Sequence, residues 1–432
     1  MLSDFFLEKT ALLVRRLLAG PKEEFRFHSP RKFHPPPLKT TGIYVHVPFC
    51  RSLCPYCPYN HVPWDRDLAD RYLEALLREI RYYAERLPGL EVTSVYFGGG
   101  TPTLFPEGMV RIADALGSAF RVTGPLCTET HPADLTREKT HFLRSSGFSS
   151  VSLGVESFQS RLLSLIGRRY GPSDIARSVG WLANEAFPSF NLDLMFALPE
   201  ETMDELEADL NEATATSANQ ITVYPLFTFP YSPVGRYRKL TRISMPRFML
   251  RRRMYYHIYD TLVSRGYQRV AVWSFQKTKR FPRFSSVTRE RYLGLGPGAG
   301  SYHGPLFALN TFSLPDYCNS VAHRGHAVAL EMRFSRNLQL LYDFYWRVYD
   351  TFIPASRALE NLEYRTKKER KLRTVLAIAR LLKMMNIEEN GYSLTRRGSF
   401  WMHLAQNYFS LRAINTIWSA AREDPWPDEI RF

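Results

Sequence analysis

Short apolar runs alternate with longer amphipathic helical patterns from residue 42 onward. This order predicts parallel strands joined by crossover helices, and so an α/β fold. The predicted strands are Ile43–Val47, Val92–Phe97, Leu126–Glu129, Val151–Val155, Phe190–Phe196 and Gln220–Tyr224. The predicted helices are Asp67–Arg86, Pro106–Ala119, Thr136–Ser145, Ser160–Ile166, Ser173–Asn184 and Met203–Thr216. Six such units predict a partial (β/α)6 barrel related to the TIM barrel.

The pattern divides the chain into three parts. Residues 1–41 form an N-terminal extension and linker, with an amphipathic stretch from Phe5 to Leu18 and a Pro35-Pro-Pro segment. Residues 42–330 form the barrel domain, which continues with a helix over Pro246–Arg265 and a strand near Arg269–Trp273. Residues 331–432 form a mostly helical, winged-helix-like domain. Its predicted helices are Leu338–Phe352, Lys371–Met385 and one that ends near Ala421.

Composition excludes several classes of protein. With 45% hydrophobic and 23% charged residues, the chain is neither disordered nor a coiled coil. No apolar run reaches the ~18 residues of a membrane span, and no secretory signal is visible at the start. The five cysteines are an odd number, which favours a reducing, cytoplasmic location. The formal charge of +15 suits an anionic ligand, a nucleic acid or an anionic surface without choosing among them.

Three cysteines lie in one tight segment, Cys50-x-x-x-Cys54-x-x-Cys57, directly after the first predicted strand. Thiolates are the preferred ligands of iron–sulfur clusters and zinc. Zinc usually takes four protein ligands, which His46 and His61 would have to complete. Three thiolates alone fit a four-iron cluster with one iron left open. Cys127 and Cys318 stand alone and are expected to be buried thiols.

The segment from Tyr44 to Asn60 resembles the cluster loop of radical SAM enzymes. More narrowly, it is similar to the oxygen-independent coproporphyrinogen III oxidase-like branch, which includes haem chaperone-like and class C methyltransferase relatives. The resemblance implies a [4Fe-4S] cluster on Cys50, Cys54 and Cys57, and S-adenosylmethionine as cofactor, in two molecules for some members. It also implies reductive cleavage of that cofactor to a 5′-deoxyadenosyl radical.

Further motifs follow in the family's order, and the resemblance assigns them to S-adenosylmethionine. Phe97-Gly-Gly-Gly-Thr-Pro-Thr looks like the glycine segment, and Glu156 replaces a glutamine that is usual at its position. The implied cofactor-binding residues are Tyr44, Tyr56, Gly98, Gly99, Gly100, Thr101, Glu129, Glu156, Arg168, Asp193, Tyr224 and Pro225. Most of them fall at the carboxyl ends of predicted parallel strands, where α/β barrels build their sites. No catalytic side chain can be named.

The function within this branch stays open in the sequence. A tetrapyrrole enzyme fits the basic charge, but the oxidase pattern has a fourth cysteine where this chain has Tyr59. A haem-trafficking protein fits Cys54-Pro-Tyr-Cys-Pro-Tyr-Asn, although that group's His-Asn-x-x-Tyr-Trp motif is not found. A class C methyltransferase acting on an sp² carbon suits both departures.

From a different class, we keep a non-catalytic protein whose basic C-terminal helices bind haem or nucleic acid. The nucleic-acid version is disfavoured. The expected partners of an enzyme are a small, possibly anionic tetrapyrrole substrate and an electron donor such as flavodoxin or ferredoxin. The glycines from Gly294 to Gly300 lack the strand-then-helix context of a dinucleotide site, and His303 beside them is expected to be structural.

Overall fold

The computed structural model describes residues 25–227, 245–278, 290–355 and 367–431. The amphipathic stretch Phe5–Leu18 lies outside these residues. The strands are β1 Arg26–His28, β2 Thr40–Val47, β3 Phe49–Cys50, β4 Val62–Pro63, β5 Glu91–Gly99, β6 Arg121–Val122, β7 Leu126–Thr130, β8 Phe148–Glu156, β9 Ser189–Phe196, β10 Gln220–Pro225, β11 Gln268–Arg269, β12 Ser274–Gln276, β13 Tyr292–Leu295, β14 Gly300–Tyr302, β15 Leu306–Asn310, β16 Val328–Arg333, β17 Phe352–Pro354, β18 Met385–Glu388, β19 Gly391–Leu394 and β20 Glu429–Arg431.

The helices pack around these strands or follow them. They are α1 Arg66–Arg86, α2 Pro106–Ala119, α3 Arg137–Ser145, α4 Ser160–Leu165, α5 Pro172–Asn184, α6 Met203–Ala215, α7 Phe248–Ser264, α8 Leu314–Arg324, α9 Arg336–Tyr349, α10 Lys367–Leu381 and α11 Arg396–Glu423. A 3₁₀ turn covers Pro102–Leu104.

The main sheet carries the barrel. Its parallel strands lie in the order β2, β5, β7, β8, β9 and β10, so each predicted strand neighbours the next along the chain. Strand β13 pairs parallel with the other edge of β2, and β14 to β16 extend the sheet antiparallel from there. The α/β partial barrel predicted from the alternating pattern is therefore confirmed.

Local sequence explains the element boundaries. Helix α1 begins after Asp65, whose side chain accepts a hydrogen bond from the Leu68 amide, and α6 begins in a capping box between Thr202 and Glu205. Both caps lie where the apolar periodicity starts. In β2, the side chains of Ile43, Val45 and Val47 are fully or almost fully buried. Strands in a parallel sheet are covered on both faces, which is why they appear as apolar runs.

The strand predicted near Arg269–Trp273 is wrong. Residues 270–273 form a bend between β11 and β12, and the Val270 amide bonds the Ser274 carbonyl across it. Ala271 and Val272 are nonetheless completely buried, and the Val272 carbonyl accepts a hydrogen bond from Tyr255. The apolar run therefore marks burial, which periodicity alone does not separate from strand pairing.

After β16 the chain is mostly helical. Helices α9, α10 and α11 accompany a small antiparallel sheet in the order β17, β19, β18, a winged-helix-like arrangement. Arg269 of the barrel binds the Leu394 carbonyl and the Ser399 hydroxyl, which fixes this part to the barrel. Strands β1 and β20 join the main sheet next to β16. Within the described residues, no helix is long and apolar enough to cross a membrane. The three-part domain division stays a prediction.

Candidate active site

A cavity of about 400 Å³ opens at the carboxyl ends of the parallel strands. Residues that end β5, β7, β8, β9 and β10 line it on one side, together with the cysteine loop that follows β2. We call this side the floor. Its lining members among the predicted residues are Cys50, Cys54, Cys57, Tyr56, Gly99, Gly100, Thr101, Glu129, Glu156, Arg168, Asp193 and Tyr224.

The three loop cysteines face this cavity as free, partly buried thiols. A turn holds them together, since the Cys57 amide bonds the Cys54 carbonyl at 3.1 Å. The Thr101 hydroxyl lies 3.9 Å from Cys50 Sγ and donates to it. Burial raises the pKa of Cys50 to about 11 and that of Cys57 to about 12. Such thiols stay protonated near neutral pH, so metal binding must release their protons.

His46, one of the two histidines that a zinc site would need, is engaged through both ring nitrogens. His46 is buried and bonds Tyr44 through Nδ1 at 3.0 Å and the Asn60 carbonyl through Nε2 at 2.7 Å. Nδ1 of His61 bonds the Tyr59 carbonyl at 2.6 Å. No three His, Cys, Asp or Glu side chains in the described ranges converge on a single-ion site. The arrangement therefore gives His46 no role as a metal ligand.

The glycine segment forms a ridge of the floor that carries no side chains. A Cβ on Gly99, whose φ is 116°, would lie 2.7 Å from the His46 ring, and one on Gly100 would lie 2.4 Å from the Phe49 carbonyl oxygen. The amides of Gly100 and Thr101 bond the Val47 and Phe49 carbonyls. The glycines are thus required by the protein's own close packing, and these two N–H groups are not available to a ligand.

Two carboxyl groups of the floor are held by neutral donors. Glu129 accepts from the Tyr96 hydroxyl at 2.6 Å, and Asp193 accepts from Ser152 at 2.6 Å and from Asn191 at 2.9 Å. Burial raises the pKa of Glu129, and it raises the pKa of Asp193 to about 7. Both side chains therefore offer acceptors in a low-dielectric wall, where a hydroxyl or cationic ligand gains most.

Glu156 and Arg168 form a buried ion pair at the centre of the floor. The other Glu156 oxygen accepts from the Tyr224 hydroxyl at 2.8 Å. The guanidinium carbon of Arg168 lies 5.4 Å from the centre of the Tyr56 ring, and its Nε atom is buried with no partner among the described residues. The arginine therefore keeps one donor for a ligand.

Three residues of the predicted cofactor set do not line the cavity. Tyr44 stacks on Tyr96, its partner in register on β5, with ring centres 6.1 Å apart, and Pro225 is buried at the end of β10. Gly98 backs onto these rings, because a Cβ there would lie 2.9 Å from Tyr96 and 3.2 Å from Glu129. Tyr44 and Gly98 share the face of the sheet that carries Tyr96, which itself lines the cavity, and the cofactor-binding role of all three residues stays a prediction.

A second part of the cavity lining, which we call the roof, is aromatic. It is formed by Trp273, Tyr345, Trp346, Tyr349 and Trp418. The Trp273 ring packs edge-on against Tyr349 at 5.6 Å, and its Nε1 donates to Nδ1 of buried His403 at 3.1 Å. Sequence reasoning missed all five residues. The aromatic spacing 345, 346, 349 in a helical pattern was the available signal, but a buried helix face looks the same.

The floor fits the cofactors that the cysteine motif implies. Three soft ligands face one cavity, an arginine retains a buried unpartnered donor, and carboxylates stand beside it. Soft thiolates suit an iron–sulfur cluster. A guanidinium suits the carboxylate of S-adenosylmethionine, and carboxylates suit its ammonium group and its ribose hydroxyls.

Comparison with known proteins shows which family and which proteins the chain is similar to. Residues 44–213 match the radical SAM superfamily. Heme chaperone HemW of Bacillus subtilis is 28% identical over 290 residues, which cover 66% of this chain and 76% of the relative. Oxygen-independent coproporphyrinogen III oxidase of Salmonella typhimurium is 26% identical over 312 residues, 68% of each chain.

A solved structure supports the fold. Coproporphyrinogen III oxidase (HemN) from Escherichia coli superimposes with a TM-score of 0.71 at 20% identity, over 86% of this chain and 91% of that one. At this identity the likeness establishes architecture only, namely the partial barrel and the helical C-terminal part. Residues 44–213 therefore match a radical SAM domain, in a chain that is similar to the HemW heme chaperones and the oxygen-independent coproporphyrinogen III oxidases.

Proposed function

We propose that this protein is a radical SAM enzyme that acts on a porphyrin- or haem-related small molecule. The observation that carries the proposal is the mixed lining of one cavity, with thiols, carboxylates and Arg168 in the floor and five aromatic side chains in the roof. The floor suits a charged nucleoside cofactor, and the roof suits a flat conjugated molecule.

In this proposal Cys50, Cys54 and Cys57 hold a [4Fe-4S] cluster, and the other floor residues hold S-adenosylmethionine. A reduced cluster supplies the electron that cleaves the sulfonium carbon–sulfur bond. The protein's own residues orient and shield the reactants. Arg168 binds the carboxylate, Glu129 and Asp193 accept hydrogen bonds, and the roof keeps water away from the reacting centre. The electron donor is a small redox protein such as flavodoxin or ferredoxin, and we place the reaction in the cytoplasm.

The second candidate function is haem binding without turnover. It is favoured by the roof, which offers stacking surfaces to a porphyrin, and by the similarity to proteins described as heme chaperones. It predicts that haem binds and that S-adenosylmethionine is not consumed productively with it.

The test uses the full chain, reconstituted anaerobically and assayed with dithionite, S-adenosylmethionine and coproporphyrinogen III. 5′-Deoxyadenosine together with a tetrapyrrole that has lost carbon dioxide and hydrogen supports the enzyme with oxidase activity. 5′-Deoxyadenosine with S-adenosylhomocysteine and an unchanged tetrapyrrole supports a methyltransferase, and contradicts the tetrapyrrole substrate. Neither nucleoside product, from protein with a verified four-iron cluster, contradicts the enzyme and leaves haem binding as the function.

A further inference from the structure

The charges that line the cavity do not balance. The charged lining residues within the described ranges are Glu129, Asp134, Glu156, Asp193, Arg51 and Arg168. Arg51 pairs with Asp134 at 2.6 Å, and Arg168 pairs with Glu156. Two acids thus remain without a cation, since Glu129 and Asp193 are held by hydroxyl and amide donors. With every acid ionised, these six residues sum to two negative charges.

The carboxyl groups of the floor are close enough for the charge of one to raise the pKa of another. After burial, the charge of Glu156 is among the influences that raise the pKa of both Glu129 and Asp193, and Glu129 also raises that of Asp193. Burial lowers the pKa of the lining histidines His61 and His131, so neither imidazole supplies a positive charge near pH 7. A cationic ligand is therefore the missing partner of this wall.

Glu156 occupies a costly backbone conformation. It ends β8 with a φ of 63°, in the left-handed region that glycine and asparagine tolerate best. A side chain with a Cβ is strained there, because the Cβ comes too close to the following carbonyl oxygen. Glu156 is only 3% exposed and is held from both sides by Arg168 and Tyr224. A strained backbone that is held in place by contacts on both sides of the residue is typical of functional positions.

We propose that Glu156 is a specificity-determining residue that makes the cavity select a cationic ligand. By pairing with Arg168 it cancels the guanidinium charge and preserves the acidic excess of the floor. This inference rests on the proposed function. S-Adenosylmethionine carries a sulfonium and an ammonium against one carboxylate, for a net charge of plus one. S-Adenosylhomocysteine lacks the sulfonium and is neutral overall, so the acidic wall favours the intact cofactor over this product.

The experiment measures binding, so it does not depend on turnover. The reconstituted full chain is dialysed to equilibrium, anaerobically and without reductant, against each of the two ligands at low salt. Wild type should bind S-adenosylmethionine more tightly than S-adenosylhomocysteine. Glu156→Gln keeps the shape of the side chain and removes one negative charge. Its one oxygen can accept from Arg168 while its amide group donates to the Tyr224 hydroxyl. The ratio of its affinities for S-adenosylmethionine and S-adenosylhomocysteine should fall about tenfold, as expected for one charge in a partly desolvated site.

Two variants control the interpretation. Glu156→Asp retains the charge and should retain most of the preference. Glu205→Gln neutralises a carboxylate that pairs with Arg161 at 2.8 Å outside the cavity, while glutamine still completes the capping box. It should leave the preference unchanged.

Two results overturn the inference while leaving the proposed function intact. One is equal binding of the two ligands by wild type, which needs no variant to fold. The other is an unchanged preference in Glu156→Gln. Failure of wild type to bind either ligand overturns the proposed function together with the inference.

Discussion

The floor and the roof of the cavity differ in where they come from in the chain. The floor is built from strand ends within residues 44–225, and its chemistry is thiol, carboxylate and guanidinium. The roof is built from the bend before β12 and from helices α9 and α11, and its chemistry is aromatic. This contrast indicates a division of labour. In the function we propose, the floor serves cofactors that the whole superfamily uses, and the roof serves a substrate that differs between members.

The largest effect is expected at the cysteines. Cys54→Ala removes one of three ligands, so the reconstituted protein should lose its cluster and all 5′-deoxyadenosine formation. Iron and sulfide analysis with electron paramagnetic resonance measures the cluster. Cys318→Ala is the matched control, because this buried thiol lies on α8 away from the cavity and should leave the cluster intact. A full cluster in Cys54→Ala would contradict the proposal that Cys54 is a ligand of the cluster in the floor.

The roof should separate substrate binding from cofactor cleavage. Trp346→Ala removes a large stacking surface, so binding of haem, followed by its absorbance change, should weaken about tenfold or more. Cleavage of S-adenosylmethionine without substrate should stay within about twofold of wild type, because the floor is untouched. Trp181→Phe on the outer helix α5 provides the control for tryptophan loss. Equal losses of haem binding and cleavage in Trp346→Ala would contradict the division.

Protonation of Asp193 should make cofactor binding depend on pH. Burial raises its pKa to about 7, so the carboxyl keeps its proton below that pH and loses it above. Affinity for S-adenosylmethionine should therefore rise up to about tenfold from pH 6 to pH 8. Asp193→Asn should flatten the pH profile of the affinity. An unchanged profile in the variant would show that Asp193 is not the group whose protonation controls binding.

The same pKa shift has the opposite sign for stability. The folded state holds the Asp193 proton more tightly than the unfolded state, so this group's contribution is greatest below about pH 4. It is lost as the pH rises through 7. The apparent melting temperature of the unliganded protein should therefore fall less steeply with pH in Asp193→Asn than in wild type.

The smallest effect is expected behind the roof. His403 is buried and accepts the Trp273 indole hydrogen bond, which makes it a positioning residue for the roof. His403→Phe leaves that donor unpartnered and should weaken haem binding severalfold, at a cost of about 1–3 kcal/mol in stability. His403→Gln can still accept the bond and should recover part of the affinity. Equal affinities in the two variants would show that the bond does not orient Trp273.

The sequence predicted the floor better than the roof for physical reasons. The family resemblance supplied Glu129, Glu156 and Asp193, and strand boundaries agreed for Glu129 and Glu156 because parallel strands place their carboxyl ends at one edge. Asp193 lies within β9 and still lines the cavity. Trp273 and Trp418 meet only through the docking of distant elements, which periodicity does not reveal. Tyr224 and Pro225 were both predicted to contact the cofactor, but only Tyr224 of the two lines the cavity. A strand's residues alternate between its two faces, and the register that decides which face is seen comes from the folded sheet.

The most direct test of the division is nucleoside analysis of three reconstituted proteins in parallel. Wild type, Cys54→Ala and Trp346→Ala are incubated anaerobically with dithionite and S-adenosylmethionine, and 5′-deoxyadenosine is quantified by mass spectrometry. Wild type and Trp346→Ala should give similar yields, and Cys54→Ala should give none. Absence of 5′-deoxyadenosine from wild type with a verified four-iron cluster would contradict the proposed function.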